Sequence, residues 1–413
     1  MRLLFVLPAL PYPPSDGGKM KVFNALKYLT PRHQCELVCF GRDDAVSLAR
    51  LHAALPELGA VKIFPEPSHG ARMVGAFMSI LRLRPPSFAR FASQPLRAWV
   101  RAAQLEKRYD VIHYDIINMA QYHLAAAGTA TVHSPNDATS QVYFRLASVA
   151  RDWRSRLKLY LSAILLRRFE RKTYTSFSKI HVVSEVDKLY LKRVAPEIDV
   201  TDIPISSGYP HSLCDSLPSR PAVTTYVVTV CGNLGDAAIE NGFLAFLDGA
   251  LPGLLRRFPA LRVRVLGRRI SAALLARIES CPQVEYHAWV EDFESFLSES
   301  DLILVPDLAG APGAKTRVVQ AMALGLAVVG TETGFEGVPI RNGIHGMIYT
   351  SAAECLSMIT ELMLDPVRRQ DLGAAAGRLA ANEYSLEVIG PKFDSLYQEA
   401  FERHALLLAS GST

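Results

Sequence analysis

Apolar segments of strand length alternate with longer stretches of helical periodicity along the whole of this 413-residue sequence. Such alternation is typical of parallel sheets that carry helices on both faces. In the first half it predicts strands near residues 2–7, 34–40, 60–64, 110–114, 129–133, 179–183 and 199–203. In the second half it predicts strands near residues 225–231, 261–266, 283–287, 302–305 and 326–330. The predicted fold class is therefore α/β, with two parallel sheets in series.

The segment 204–221 separates the two series, because it holds four prolines and several serines and has no sustained periodicity. A chain of this length suffices for two domains of ordinary size. We expect Rossmann-like domains over residues 1–205 and 222–387, followed by a helix over 388–408 within the C-terminal segment 388–413. Ligands of such open sheets bind beyond the carboxyl ends of the strands.

Residues 313–329 (GAKTRVVQAMALGLAVV) join two cations to a predicted helix start. Gly313 allows a ligand to approach the backbone closely, and Lys315 and Arg317 follow where the helix should begin. The free N–H groups and the positive dipole end of a helix attract anions, and the two cations add to this attraction. The segment therefore predicts an anion site, and a diphosphate is the anion that we expect there.

The same segment resembles the donor-binding motif of the GT-B glycosyltransferases, in particular of the retaining family 4. There a glycine and two cations precede a glutamate and an Ala-Met-Ala sequence. Lys315 and Arg317 fall on the two cations, Gln320 falls on the glutamate, and Ala327 falls on a proline. A second glutamate that many relatives carry falls on Pro312. The resemblance continues along nearly the whole chain, for example in the opening LLFVLPALPYPPSDGGKMKVFNALKYL and in AWVEDFESFLSESDLILVP at 288–306.

This resemblance implies two tandem Rossmann-like domains, an interdomain cleft and a C-terminal helix that crosses back to the N-terminal, acceptor-binding domain. It implies transfer of a sugar from a nucleotide diphosphate sugar, with UDP favoured over GDP, and with retention at the anomeric carbon. The bond to the sugar should break through an oxocarbenium-like state. Because the cations and the helix end would stabilise the departing diphosphate, neither a metal nor another cofactor is expected. The acceptor would be a glycan, a lipid-linked glycan of polysaccharide biosynthesis or a small molecule.

Site residues are carried over from the family one by one. The expected catalytic residues are His133, Lys315 and Arg317, since His133 ends a strand as does the family histidine that contacts the donor sugar. The expected donor-binding residues are Gly17, Gly18, Gly232, Asn233, Gly313, Lys315, Arg317, Gln320 and Glu336.

Several polar residues at strand ends admit a structural interpretation as well. His113 ends another strand, and either packing or function would explain it. Asp16 is expected to cap a helix or a turn rather than to act as a general base, and Asn136 and Asp137 are expected to cap the next helix.

The charge is unevenly distributed. Residues 1–210 hold 29 Lys and Arg against 17 Asp and Glu, whereas the remainder holds 16 against 23. A basic first half indicates an anionic partner, but no nucleic-acid-binding motif accompanies it, so nucleic acid is not expected. Residues 72–84 and 151–172 mix apolar and basic side chains, as helices on an anionic membrane surface do. The alternative is that their apolar stripes are core, which we favour for 151–172 and leave open for 72–84.

The expected location is the cytoplasm, with peripheral attachment to the cytoplasmic face of the inner membrane. No run approaches a membrane span of about 20 apolar residues. The apolar start of the chain contains prolines and lacks a cleavage site, so it predicts a first strand rather than a signal peptide. Six scattered cysteines without metal-ligand spacing fit a reducing compartment.

Two alternatives to a retaining transferase stay open. The replacement of both family glutamates, at Pro312 and Gln320, also fits a catalytically inactive GT-B protein that binds a glycan or a partner. An inverting enzyme on the same fold is the other.

Overall fold

A computed structural model describes residues 1–42, 44–125, 128–150, 152–215, 226–308 and 313–409. The chain forms two compact units. Unit 1 is Met1–Pro204 together with the C-terminal segment from Ile389, and unit 2 is Ile205–Val388. Pro312 lies outside the described residues, as does the end of the predicted linker.

Unit 1 is built on a parallel sheet in the order β3-β2-β1-β4-β5-β6-β7. Its strands are β1 Arg2–Leu7, β2 Gln34–Phe40, β3 Val61–Phe64, β4 Val111–Asp115, β5 Ala130–Asn136, β6 Lys179–Val182 and β7 Val200–Asp202. Its helices are α1 Gly17–Leu29, α2 Ala45–Ala54, α3 His69–Leu81, α4 Gln94–Leu105, α5 Ile116–Met119, α6 Thr139–Val149, α7 Trp153–Thr173 and α8 Glu185–Val194.

Unit 2 is built on a second parallel sheet, in the order β10-β9-β8-β11-β12-β13. Its strands are β8 Val227–Cys231, β9 Arg262–Leu266, β10 Val284–His287, β11 Leu302–Val305, β12 Ala327–Gly330 and β13 Met347–Ile348. Its helices are α9 Ala237–Gly249, α10 Leu251–Arg257, α11 Ala272–Glu279, α12 Phe293–Ser298, α13 Thr316–Ala323, α14 Ala352–Leu364 and α15 Pro366–Tyr384.

The last helix, α16 Leu386–Ala409, packs on the sheet of unit 1. Its buried residues recur at helical spacing and join the cluster formed by β1, β2 and α1; they are Ile389, Phe393, Leu396, Tyr397 and Ala400. The Tyr397 hydroxyl lies 3.0 Å from Nδ1 of His113 on β4. The return of the C-terminal helix to the first sheet follows from this apolar face.

The predicted strands agree with the observed ones to within three residues at every end. Among the strands of the described residues, only the two-residue β13 was not predicted. Most residues of these strands are buried, because helices cover both faces of a parallel sheet. Such strands are near-continuous apolar runs, which is the signal that the sequence carries most clearly.

The apolar stripe predicted to be core in residues 151–172 is instead exposed. The side chains of Trp153, Leu157 and Ile164 are 70%, 49% and 45% exposed. The helix uses its opposite face for the core, with Ala163, Leu166, Phe169 and Glu170 buried. The core interpretation is therefore wrong for this stripe, because α7 has two apolar faces and only the one with Leu166 and Phe169 joins the core cluster of unit 1.

Helix α3 also exposes its apolar side chains, and none of its described residues is buried. It rests on the turn Pro86–Phe91, with Gly75 against Ala89, and Phe88 of that turn packs edge-on against Phe169 of α7. The exposed apolar residues of this region are Met73, Val74, Phe77, Met78, Ile80, Leu81 and Leu83.

A buried carboxyl group in α7 should make the stability of the protein depend on pH. Glu170 is 1% exposed and accepts hydrogen bonds from the backbone N–H and the hydroxyl of Ser140. Burial raises its pKa to about 7, against the opposing effect of the Ser140 hydrogen bonds; Asp187 raises it further and Arg167 lowers it. An unfolded glutamate titrates near 4.3, so between about 4.3 and 7 the folded state binds the extra proton. The free energy of unfolding should therefore fall as the pH rises through this interval.

We expect Glu170→Gln to abolish this dependence, since glutamine stays neutral and still accepts hydrogen bonds from Ser140. The variant should exceed the native protein in stability by on the order of 3 kcal/mol at pH 8 and by little at pH 4. Urea unfolding at the two pH values measures the effect, with the exposed Glu197→Gln as control. A native protein as stable at pH 8 as at pH 4 would contradict the assignment.

Candidate active site

The strand order of unit 2 reverses between β8 and β11, which is where open α/β sheets bind ligands. Gly232 follows β8 directly, and Asp307 follows β11 after one proline. A Cβ atom on Gly267, which follows β9, would lie 2.1 Å from the carbonyl oxygen of Gly232. The glycine at 267 thus lets the ends of β8 and β9 pack in direct backbone contact.

Arg317 occupies this reversal point from the first turn of α13. Its Nη2 atom donates to Oδ1 of Asp307, in an ion pair that is nearly closed to solvent. Its Cζ atom lies 3.5 Å from the position that a Cβ on Gly232 would take, so the guanidinium lies against the end of β8. Burial acts to lower the pKa of Arg317, but the charge of Asp307 raises it and the net shift is upward. The side chain is therefore a fixed cation.

Asp307 is a site residue that the sequence reasoning missed. It is 3% exposed, and its second oxygen, Oδ2, has no hydrogen-bond partner among the described residues. Its position in the sequence could have indicated a site residue, because Asp307 comes two residues after a buried strand, at the carboxyl edge of the predicted sheet. Its pairing with Arg317, ten residues later, is a tertiary contact that no local sequence pattern predicts.

Lys315 immediately precedes α13, and its Nζ atom donates to the carbonyl oxygen of Thr333 at 2.7 Å. Burial lowers its pKa, while Asp307 and Glu336 act in the opposite direction. No side-chain cap covers the N-terminus of α13. Lys315, Arg317 and the first N–H groups of this helix thus form a positive end, as the sequence predicted, to which Glu336 lies close enough to act electrostatically.

Two glycines bring the loop after β12 against the segment before α13. Gly337 has φ +83°, and a Cβ there would lie 2.3 Å from the nitrogen of Ala314. Gly313 has φ +104°, also in the region that favours glycine. Gln320 is 5% exposed within α13. The structure therefore gathers Gly313, Lys315, Arg317 and Glu336 around one helix start, whereas Gln320 lies buried in the second turn of α13.

Asn233 begins a turn after β8, in which its carbonyl oxygen accepts from the N–H of Asp236 at 2.9 Å. The next strand end, after β9, carries the exposed Arg268 and Arg269. A Cβ on Gly235 would lie 2.9 Å from Cβ of Arg269, so the two turns touch. Two exposed cations thus lie at the end of β9, beside the turn that Asn233 begins after β8.

In unit 1 the strand order reverses between β1 and β4, and a second cation–carboxylate pair lies there. Lys21 of α1 is 5% exposed and donates to Asp115 Oδ1 at 2.6 Å, to Ser134 Oγ at 2.7 Å and to Oδ1 of Asn136. Asn136 is thus held by Lys21, and the prediction that it caps the next helix is wrong, since α6 begins after Ala138 without a side-chain cap.

Gly17 and Gly18 form the first turn of α1, and a Cβ on Gly18 would lie 3.8 Å from Nδ2 of Asn136. Asp16 caps this helix, as expected, by accepting from the N–H of Lys19 at 3.0 Å. The structure therefore brings Gly18, Lys21 and Asn136 together at one edge of the first sheet.

His133 is fully buried in β5. Its Nδ1 atom lies 2.9 Å from the carbonyl oxygen of Tyr114, and its ring packs against Tyr174 and Phe177. Nδ1 must carry the proton, because a carbonyl oxygen only accepts. Burial lowers its pKa to about 3, so the ring is neutral, and its Nε2 has no partner among the described residues. His113 is likewise buried and neutral, since burial lowers its pKa well below the usual value.

Within the described ranges, no group of three or more His, Cys, Asp and Glu side chains is arranged to hold a metal ion. The same residues contain no helix with the length and apolar character needed to cross a bilayer.

Residues 225–365 match the model of the family described as glycosyl transferases group 1. This region holds both strands of the reversal point and the Arg317 site. The match lies within unit 2. No curated protein sequence matches the chain.

Solved glycosyltransferase structures resemble the chain as a whole. HepE of Anabaena, solved with UDP, is 14% identical with a TM-score of 0.65, over 96% of this chain and 100% of that one. Sucrose-phosphate synthase of Thermosynechococcus elongatus is 14% identical with a TM-score of 0.64, over 97% and 100%. A point mutant of S. aureus TarM, solved with fondaparinux, α-GlcNAc-glycerol and UDP, is 9% identical with a TM-score of 0.64, over 96% and 100%. The predicted GT-B fold, with two α/β units and a long C-terminal helix, is confirmed.

Proposed function

We propose that this glycosyltransferase moves a sugar from a nucleotide diphosphate sugar, UDP rather than GDP, to a glycan, a lipid-linked glycan or a small molecule. The group 1 match of unit 2 and the UDP complexes of structurally similar proteins support this donor class. A complex of HepE with UDP-glucose supports a hexose as the sugar.

The observation that carries the proposal is the fixed cation at the reversal point of unit 2. Arg317 is held by Asp307 against the end of β8, and Lys315 stands beside it at the open start of α13. As the bond between the sugar and the diphosphate breaks, negative charge grows on the leaving oxygen. Two cations and a helix end stabilise that charge without a metal ion. Retention is proposed from the family 4 resemblance.

The acceptor is proposed to be bound by unit 1, and the enzyme to act in the cytoplasm at an anionic membrane surface. Two features of unit 1 support docking: the exposed apolar side chains of α3, and the arginines that follow them at 82 and 84. Apolar insertion beside cations is the usual composition of membrane-surface helices.

A donor screen followed by a transfer assay tests this function. UDP-, GDP- and dTDP-sugars are compared by calorimetry, and the donor that binds is then offered with a lipid extract and with oligosaccharides. We expect a UDP-sugar to bind and to be consumed, with the anomeric configuration retained in the product. Binding without either transfer or hydrolysis would instead identify an inactive binding protein, and an inverted product would contradict retention.

His133→Asn tests the proposed contact between His133 and the donor sugar. Asparagine can keep the hydrogen bond to Tyr114, so the fold should persist. We expect kcat to fall at least about tenfold while the Kd for the nucleotide product stays unchanged, because the proposed contact is to the sugar. His181→Asn, at an equally buried histidine, is the control. If thermal stability falls in both variants and kcat in neither, His133 is a packing residue.

A further inference from the structure

The exposed face of α7 changes from apolar to cationic along the length of the helix. Five apolar residues line its first half, and three arginines continue the same face in its second half. They are Trp153, Leu157, Tyr160, Leu161 and Ile164, followed by Arg167, Arg168 and Arg171. At about 100° per residue, all eight positions fall within roughly 120° of the helix surface.

Arg154, Arg156 and Lys158 are also exposed but lie outside this sector, so within the sector the apolar and cationic residues are divided along the length of the helix. At about 1.5 Å per residue, the apolar stretch from Trp153 to Ile164 is roughly 16 Å long. The core does not use this face, because the buried residues of α7 lie on the opposite side.

A groove of about 760 Å³ opens at the junction of the two halves. Its apolar wall includes Phe144 of α6 and Tyr160, whose rings pack edge-on with centroids 5.5 Å apart, and Ile164. Its other wall carries four cations: Arg167, Arg168, Arg171 and Lys172.

The four cations of the groove are electrostatically available to a ligand. In the described part of the chain no carboxylate lies within ion-pair distance of any of them, and they are exposed. Glu197 also lines the groove and offsets one positive charge. An anion bound there would meet several donors that charge-assisted hydrogen bonds can use, with the planar guanidinium groups suited to phosphate.

We propose that the α7 groove binds one phosphate-bearing lipid, with the phosphate at Arg167, Arg168, Arg171 and Lys172 and the acyl chains along the apolar half of the helix. The order of groups in such a lipid matches the order of side chains along the helix. The inference deepens the proposed action at an anionic membrane, and rests on it for the source of the ligand. It assigns to this face a single bound lipid in addition to the surface docking of α3.

The test uses dioctanoyl phosphatidylglycerol below its critical micelle concentration, measured by calorimetry on the full chain. We expect saturable binding near one lipid per protein. Charge reversal in Arg168→Glu/Arg171→Glu should weaken it about a hundredfold, and Leu157→Ser/Leu161→Ser about tenfold or more. The matched control is Arg256→Glu/Arg257→Glu at the exposed end of α10, which should bind the lipid normally.

Binding of three further ligands shows which part of the lipid the groove recognises. Dioctanoyl phosphatidylcholine, whose head group has no net charge, should bind at least about tenfold more weakly. Inorganic phosphate should bind weakly and be insensitive to the change at Leu157 and Leu161. The assignment to a lipid would be overturned if inorganic phosphate or a short RNA bound as tightly as the lipid. It would also be overturned if Arg168→Glu/Arg171→Glu left the affinity for the lipid unchanged. None of these measurements uses a donor sugar, so they test lipid binding independently of the proposed glycosyl transfer.

Discussion

Replacing both Lys315 and Arg317 by alanine should weaken binding of a nucleoside diphosphate by on the order of 10²–10⁴-fold. Each substitution removes a charge-assisted hydrogen bond worth roughly 1.5–3 kcal/mol. The two effects should not add fully, because both cations contact one ligand. Calorimetry with UDP measures the loss, and uridine, which lacks phosphates, should bind all variants equally.

Arg317→Ala alone should also lower the free energy of unfolding, whether or not a ligand is bound. It leaves Asp307 buried without its partner, which destabilises a protein by roughly 3–5 kcal/mol. Combining Arg317→Ala with Asp307→Asn removes the stranded charge, so we expect stability to recover while diphosphate affinity stays low. Urea unfolding and calorimetry on the native protein, Arg317→Ala and Arg317→Ala/Asp307→Asn separate the loss of stability from the loss of diphosphate affinity. If diphosphate affinity returns together with stability, Arg317 does not bind the donor and the proposed site is wrong.

Changing Met73 and Phe77 of α3 to aspartate should abolish binding to phosphatidylglycerol vesicles. The two side chains are 64% and 63% exposed, and burying a large apolar side chain is worth about 1.5–3 kcal/mol. Loss of both therefore lowers the partition coefficient by on the order of 10²–10⁴-fold. The fold should tolerate the change, because no described residue of α3 is buried.

Vesicle flotation measures this effect, with Val367→Asp on α15 of unit 2 as the matched control, since Val367 is 68% exposed. Charge reversal at Arg82 and Arg84 should weaken docking while leaving the affinity for soluble donor unchanged. Salt should release the native protein, because the Debye length is about 8–10 Å at physiological to moderate ionic strength. Equal binding to neutral and anionic vesicles, or no loss in the α3 variant, would contradict docking by this surface.

The strands and the cationic helix start could be predicted from the sequence. Buried parallel strands are continuous apolar runs, and a glycine, two cations and an apolar helical stripe are all local features. For the same reason Asp16 was correctly predicted as the cap of α1, since a cap bonds within its own first turn.

Pairings between distant residues could not be read in this way. Lys21 and Asp115 are 94 residues apart and meet only because β4 lies beside β1 in the sheet. Asn136 was assigned to the helix that follows it, whereas the folded sheet brings it to Lys21. The burial of His133 depends likewise on Tyr174 and Phe177, which follow α7 in the sequence and pack against the ring in the folded protein.

The sequence by itself thus determined the two parallel sheets, the helix that returns to the first of them and the cationic start of α13. The tertiary structure alone decided that Asp307 holds Arg317 and which face of α7 is left to solvent. The spacing of apolar residues in a sequence predicts the apolar faces of a helix, and α7 has two such faces. Which of them is buried depends on the shape and composition of the elements that pack against it, and those neighbours are fixed only when the chain has folded.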